Sequence, residues 1–436
     1  MCTQGSDSEC TANDIMRERN YEHCLPGYLT RILPHDHLDG DDVDITMTPR
    51  TYNWFIFCSI CSILMHIIDM VFDYNIAIQY LLYNKITYFT WTICFIVIPS
   101  LINCIVSKRM QNQDKEIHTS TNDLNGTKIS HIMIKNKYCF VVTVIFQLAP
   151  VLHYYESMKY ALKAYQYGKS GDRVNASRNH SKMLTEVEDV ALLRVFECFL
   201  EAAPQQILQL TILLKSHNEI NFYFVHQVAT IVSSLGSMGW AMATYNRSIR
   251  LAQQDKSNIS NVGVAVQFFW HFFITVARIL SVSVVASIWP IFTIICCIIH
   301  WICMTIWVVI DSHGMLQFCR DYSRSPHLKP KLREYVYSIL FATVIGIIHI
   351  FIYFNTVDSN TFWKHLFFYI LCFLENIACN VVWGYTSPAE VTCAWYFKVC
   401  LAFCTLSFFL GIAAMIIYYT IFHPSKKQHS AVSQIT

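Results

Sequence analysis

The stretch CFLEAAPQQILQL, Cys198 to Leu210, places a glutamate, a proline and three glutamines inside a long apolar neighbourhood. The charged run EVED (Glu186 to Asp189) comes a dozen residues earlier, with Arg194 and Glu197 in between. If the stretch is helical, Arg194, Glu197, Glu201 and Gln205 fall three, four and four residues apart and share one face. Pro204 would free a carbonyl beside that face, because its ring nitrogen carries no hydrogen. Such a helix cannot turn its polar face to hydrocarbon, where a charge costs at least ~2.5 kcal/mol; the face must meet protein or water.

The rest of the chain supplies the hydrocarbon. The 436 residues are 54% apolar and 14% charged, whereas soluble domains run nearer a quarter charged. Ten apolar segments can be read, at 53–72, 80–107, 138–158, 190–214, 221–246, 261–286, 288–310, 335–356, 362–383 and 395–422. Each is near the ~20 residues a helix needs to cross a bilayer, and helix is the secondary structure that satisfies its own backbone there. The fold expected is an all-α polytopic membrane protein. An acidic tail, 1–50, reads as disordered and not as a cleaved signal, since no apolar run follows a short basic start. Membrane repeats over 51–260 and 261–422 follow, then a short tail, 423–436.

Basic loops set the expected orientation. The stretches 108–137 and 159–186 each hold six Lys or Arg, yet they flank a single segment, 138–158, with Pro150 in its middle. A re-entrant segment keeps both loops on the cytosolic side. CFLE recurs at Cys198–Glu201 and Cys372–Glu375, the fourth and ninth segments, which suggests two five-segment pseudo-repeats. The corresponding slot in the second repeat, 335–356, is then also re-entrant. Eight segments cross and both termini are cytosolic; ten full crossings is the competing count.

Other polar residues lie in the apolar runs: His66, Asp69, Asp73, Glu156, Arg278, Glu375, Asn376 and Asn380. Arg278 opposite Asp69, Glu201 or Glu375 would bridge the halves. These groups read either as ion pairs that fix helix docking or as a polar track for a charged or zwitterionic passenger. Trp289, Trp301, Trp307 and Trp383 fit segment ends or lipid faces, and Gly236 and Gly239 fit close helix packing. The 18 cysteines sit mostly in apolar runs and read as small buried hydrophobes. A net charge of +2 gives no nucleic-acid footprint, and no P-loop, GxSxG or HExxH motif occurs, so neither an enzyme nor a metal or cofactor site is expected.

LRVFECFLEAAPQQILQL (Leu193–Leu210), FLENIACNVVW (Phe373–Trp383) and FHPSKK (Phe422–Lys427) resemble the signatures of the XK-related membrane proteins, with agreeing spacing over most of 53–427. The resemblance implies two pseudo-repeats with partly inserted helices, and phospholipid scrambling at the plasma membrane that exposes phosphatidylserine on dying cells. It implies membrane carboxylates at Asp69, Asp73, Glu197 and Glu201; Gln205 joins the headgroup track by its helical spacing. The resemblance also implies a membrane arginine at Arg278 and phospholipids as partners; Arg194 and Glu375 take an ion-pair or track role from the reading of the polar residues themselves. Some relatives are activated by a caspase; others serve as subunits of an ectoenzyme or of a lipid-transfer protein. Here the tail after Lys427 has no acidic residue, so a caspase site is expected instead in DHLDG, cut after Asp39 with Asp36 three residues before and Gly40 after; Asp44 of DDVD is the alternative. An acidic tail also makes such strings by chance.

Overall fold

The computed structural model describes residues 49–120, 137–216, 222–252, 258–311, 319, 331–355 and 362–424. The described residues are almost all helical, as a backbone short of water requires. Six helices among them are long and apolar enough to cross a membrane: Arg50–Leu82, Ile86–Asn112, Asn261–Ile288, Pro290–Asp311, Phe362–Thr386 and Trp395–Phe422. They lie within α1 (Pro49–Leu82), α2 (Ile86–Ser120), α8 (Asn261–Ile288), α9 (Pro290–Asp311), α11 (Phe362–Thr386) and α13 (Trp395–Ile417), the last extended by a π-helical turn, Tyr418–Phe422. The outward faces of α1 and α9 carry rows of exposed side chains such as Leu64, Ile68, Val71, Ile295, Ile299 and Ile302, the surface expected of a lipid-facing helix.

The third expected segment is a bent pair. α3 (Lys137–Ile145) and α4 (Leu148–Lys169) meet at 101°, and together they are long and apolar enough for a seventh span. The break falls at Phe146–Gln147, where Gln147 adopts a left-handed backbone (φ 48), and not at Pro150. Pro150 instead sits in the first turn of α4, where its missing N–H costs no helical bond. The eighth expected segment is broken as well. α10 (Leu332–Ile348) ends at His349, and the non-helical residues Ile350 to Phe354 are buried in the protein.

α4 and α5 (Arg173–Phe196) form a hairpin. Its turn uses Gly171 (φ 80), and Asp172 caps α5 by accepting from the Asn175 amide at 3.1 Å. Small residues, Ala161 and Ala164, let Tyr52 near the start of α1 pack with Met183 on this hairpin. The Tyr52 hydroxyl lies 3.2 Å from His180 Nδ1.

α5 continues through a π-helical turn, Glu197–Ala202, into α6 (Ala203–Ser216). The Ala203 amide bonds to the Cys198 carbonyl, five residues back, directly before Pro204 breaks the ladder. This is the chain's innermost stretch: Leu193, Val195, Phe196, Phe199 and Ala203 are fully buried. It packs against α2 and α10, and against α7 (Phe222–Ala252). α8 is buried likewise, contacting α6, α7, α9, α11 and α13.

The two halves of the chain meet through aromatic packing. Phe196 faces Phe341 (centroids 5.9 Å), Phe199 faces Phe351 (6.3 Å) and Tyr245 stacks on Phe354 (5.0 Å). Two sequence expectations change here. Trp383 is no interfacial residue; it is buried against Phe397 beside the short helix α12 (Ala389–Thr392). Of the two glycines, Gly239 is a true close approach, since a Cβ there would lie 2.9 Å from Phe272 Cβ, while Gly236 faces open space. All described cysteines are free thiols.

Candidate functional site

The polar face read from the sequence assembles at the α3–α4 break. The Arg194 guanidinium donates from Nη1 to Glu197 Oε1 at 2.6 Å, the i,i+3 pair expected. His66 on α1 places Nδ1 3.2 Å from the same Glu197 oxygen and Nε2 3.0 Å from the Gln147 carbonyl. Glu201, which needed a partner from elsewhere, accepts from Gln147 Nε2 at 2.7 Å.

The break itself exposes carbonyls, and α1 and α2 cover them. Ser100 Oγ donates to Val144 O at 2.7 Å and the Tyr74 hydroxyl to Ile145 O at 2.6 Å. Such side-chain donors are what make a bend in an apolar segment tolerable. Nearby on α2, Asn103 Nδ2 donates to Leu193 O at 3.4 Å. His66, Ser100, Asn103, Gln147, Ala149, Pro150, Glu197 and Glu201 line one narrow cleft with no room for a headgroup.

Asp69 and Asp73 join from α1. Asp73 faces Glu201 side chain to side chain, and Asp69 lies in the field of Glu197, Arg194 and His66. Burial grades along the set: Glu197 and Glu201 are buried, Asp73 is half-buried, and Asp69, three residues from His66 on α1, is exposed. Gln205 is buried, but its amide nitrogen has no hydrogen-bond partner among the described residues. Four carboxylates thus gather around one arginine and one histidine.

Of the three carboxylates named for Arg278, Glu375 is the one it meets, so the pair does not bridge the halves. Arg278 pairs within the second half, with Nη2 donating to Glu375 Oε2. Its Nη1 donates to Asn376 Oδ1 at 3.2 Å and its Nε to the Ile350 carbonyl at 2.7 Å. His300 on α9 places Nδ1 2.8 Å from Glu375 Oε1 and Nε2 3.2 Å from the His349 carbonyl, at the end of α10. An arginine, a glutamate, a histidine and the carbonyl at a broken helix therefore occur twice. The second set has one carboxylate against one arginine, with no counterpart of Asp69, Asp73 or the extra glutamate among its contacts.

Sequence reasoning named His66 as embedded but did not give its two-sided contact, and it singled out neither His300 nor Gln147 as a site residue. Apolar runs that end in a polar residue before a proline or a turn, FQLAP and GIIHIF, were the available signal.

A second buried network lies on the hairpin. His153 Nδ1 is 2.8 Å from Glu186 Oε2 and Nε2 2.8 Å from Ser107 Oγ, with Asp189 Oδ2 3.8 Å from Nδ1. Serine, histidine and glutamate stand in the order of a hydrolytic triad. Ser107, however, is fully buried in mid-helix and also accepts from Gln111 Nε2 at 3.3 Å. A nucleophile must reach its substrate, so this network ties α2 to α4 and α5. The described residues His153, Glu186 and Asp189 also place their ligand atoms within 4.8 Å of one another.

The family model for XK-related protein matches residues 57–424. The chain belongs to the XK-related family. Among curated proteins it is similar to Cell death abnormality protein 8 of Caenorhabditis elegans, 27% identical over 391 residues, spanning 86% of this chain and 80% of that protein. The protein of the same name from Caenorhabditis briggsae is 26% identical over 394 residues, with the same shares covered. The helices that carry the two polar sets, α1, α5, α8, α9 and α11, all fall within or overlap the matched region.

Proposed function

We propose that this XK-related protein scrambles phospholipids at the plasma membrane, exposing phosphatidylserine during cell death. The observation that carries the reading is the carboxylate cluster at the α3–α4 break, graded from the buried Glu201 out to the exposed Asp69. Scrambling requires a headgroup to cross hydrocarbon while its tails stay in lipid. A polar face at the edge of the protein lowers that barrier, and lipids move down their own gradient without energy input. An excess of carboxylates over cations suits headgroups that bear an amine, such as choline, ethanolamine and serine. The polar face is the passage proposed; Arg194 holds Glu197 in place within it.

The cleft is closed in this conformation, which suits a protein held inactive until a signal arrives. The proposed signal is caspase cleavage of the acidic N-terminal tail after Asp39 or Asp44; those residues lie outside the described ones. α1 begins at Pro49 against the α4–α5 hairpin, where Lys163, Lys169 and Arg173 are exposed. A tail with ten acids against four bases has a partner surface there, and its removal frees α1, the helix that carries Asp69 and Asp73. Such docking weakens with salt.

Purified full-length protein in liposomes, with and without caspase treatment, tests the reading. Faster bilayer equilibration of labelled lipid after cleavage supports it. Ion flux without lipid movement identifies a transporter. Lipid movement only when a single-pass or lipid-transfer partner is added identifies a subunit or adaptor. In cells, the Asp39→Ala/Asp44→Ala chain should reach the surface at the normal level yet fail to expose lipid on death.

A further inference from the structure

Two membrane histidines face acceptors on both ring nitrogens. His66 meets a carboxylate oxygen of Glu197 at 3.2 Å and the Gln147 carbonyl at 3.0 Å. His300 meets a carboxylate oxygen of Glu375 at 2.8 Å and the His349 carbonyl at 3.2 Å. A neutral imidazole has one N–H, so it would set a ring lone pair against an oxygen lone pair in one of each pair of contacts. Two buried neighbours show the ordinary arrangement. His349 uses Nε2 on the Phe354 carbonyl at 3.1 Å and leaves Nδ1 unpartnered. His271 takes one contact, from Asn246 Nδ2 at 3.1 Å, and its Nδ1 is likewise unpartnered. A single proton satisfies each of those rings.

We propose that each half of the membrane domain contains a proton-binding site, made of a histidine (His66 or His300), a glutamate (Glu197 or Glu375) and the carbonyl at a broken helix, and that the bound proton holds the break closed. The ligand is one proton per site, giving an imidazolium with two N–H donors. Glu197 Oε1 already accepts from Arg194, which leaves the ring as the proton's seat.

The charged groups around each site are few. His66 faces Glu197 and Arg194 from the α5 rod and Asp69 and Asp73 from its own helix; Gln147 from the break is neutral. His300 faces Glu375 from α11, which Arg278 of α8 also holds, and His349 from the end of α10. Removing the proton leaves one donor for two acceptors and unties either the glutamate or the break. The closed break is therefore stabilised where the proton is bound and loses that stabilisation as pH rises and the proton leaves. The inference does not rest on lipid movement, and its test contains no lipid-transport readout.

The test uses the full chain in lipid nanodiscs, followed by backbone hydrogen exchange between about pH 6 and about pH 9, on either side of the ordinary histidine value, with rates corrected for their intrinsic pH dependence. Protection at 145–150 and 348–353 should fall about tenfold or more, the scale of one hydrogen bond to a charged group, while the interior of α8 stays unchanged. His66→Gln should remove the response at the first break alone and His300→Gln at the second alone. Should either variant fail to fold, exchange at the imidazole C2 carbon of the wild-type protein decides: His66 and His300 rings still charged at about pH 7.5, where an ordinary histidine is mostly neutral, beside a neutral His271, support the proposal. Uncharged rings throughout, or protection at both breaks that ignores pH, overturn it.

Discussion

The polar set around Glu197 and the polar set around Glu375 use the same parts for different ends. Each pairs an arginine with a glutamate, and each brings a histidine from another helix to the carbonyl at a broken helix. In the second half, the proposed proton aside, one carboxylate answers one guanidinium: Arg278 directs its donors to Glu375, Asn376 and Ile350 O, and His300 completes the glutamate. In the first half three further carboxylates, Asp69, Asp73 and Glu201, stand near one arginine. A balanced set fixes helices. An unbalanced set keeps a net negative field at the protein's lipid-facing edge, which a cation-bearing headgroup can answer. We therefore propose that the halves are pseudo-repeats in which one copy of the motif is structural and the other is the passage.

The largest expected effect breaks the balanced set. Arg278→Ala strands Glu375 and leaves the Ile350 carbonyl and Asn376 without their donor, and breaking a buried pair costs about 3–5 kcal/mol. The variant should be lost from the surface and unfold at lower temperature in detergent. Glu375→Gln added to it should recover part of the loss, because no carboxylate is left without its arginine. An Arg278→Ala chain of normal stability would show that the second set is no structural clamp.

A topological test reports the side on which the loops of the first half lie. Asn125, Asn175, Asn179, Asn246 and Asn258 begin N-x-[ST] triplets, and the proposed orientation puts all of them on the cytosolic side. None should carry sugar when the chain is made in eukaryotic cells and digested with an endoglycosidase. Sugar on Asn175 or Asn179, at the head of α5, would mean that the α3–α4 pair crosses fully and the first half is no re-entrant repeat.

The smallest effects sharpen how α7 seats against α8. Gly239→Ala places a methyl group 2.9 Å from Phe272 Cβ, and such overpacking costs about 1–3 kcal/mol. Gly236→Ala meets nothing within 4 Å and should be neutral or raise the melting temperature slightly. Equal effects at the two positions would place the α7–α8 contact elsewhere.

Much of this was legible because hydrocarbon is a strict solvent. Apolar length and spacing gave the helices, and Arg194 with Glu197 and Glu201 declared a face that had to be covered. Partners from distant segments were not legible. Nothing in the spacing of His66, Gln147 or His300 says which carbonyl they meet, because that depends on how broken helices dock. Arg278 was read as a link between halves because it is a lone strong charge; its neighbour Glu375 lies 97 residues away and was one of three carboxylates within reason. The π-helical turn at Glu197–Ala202 was hidden too, since Pro204 signals a freed carbonyl and not how the backbone absorbs it. Trp383 looked interfacial by its place near a segment's end, and only the fold of the chain back through α12 and α13 buries it.

The most direct measurement reconstitutes caspase-treated protein in liposomes and compares wild type with Glu201→Gln and Glu197→Gln/Glu201→Gln at matched incorporation and melting temperature. The account predicts lipid equilibration slowed about tenfold or more in the double variant, the effect of roughly 1.4 kcal/mol on a barrier, with the single variant between. Undiminished lipid movement by a folded double variant would contradict the carboxylate passage.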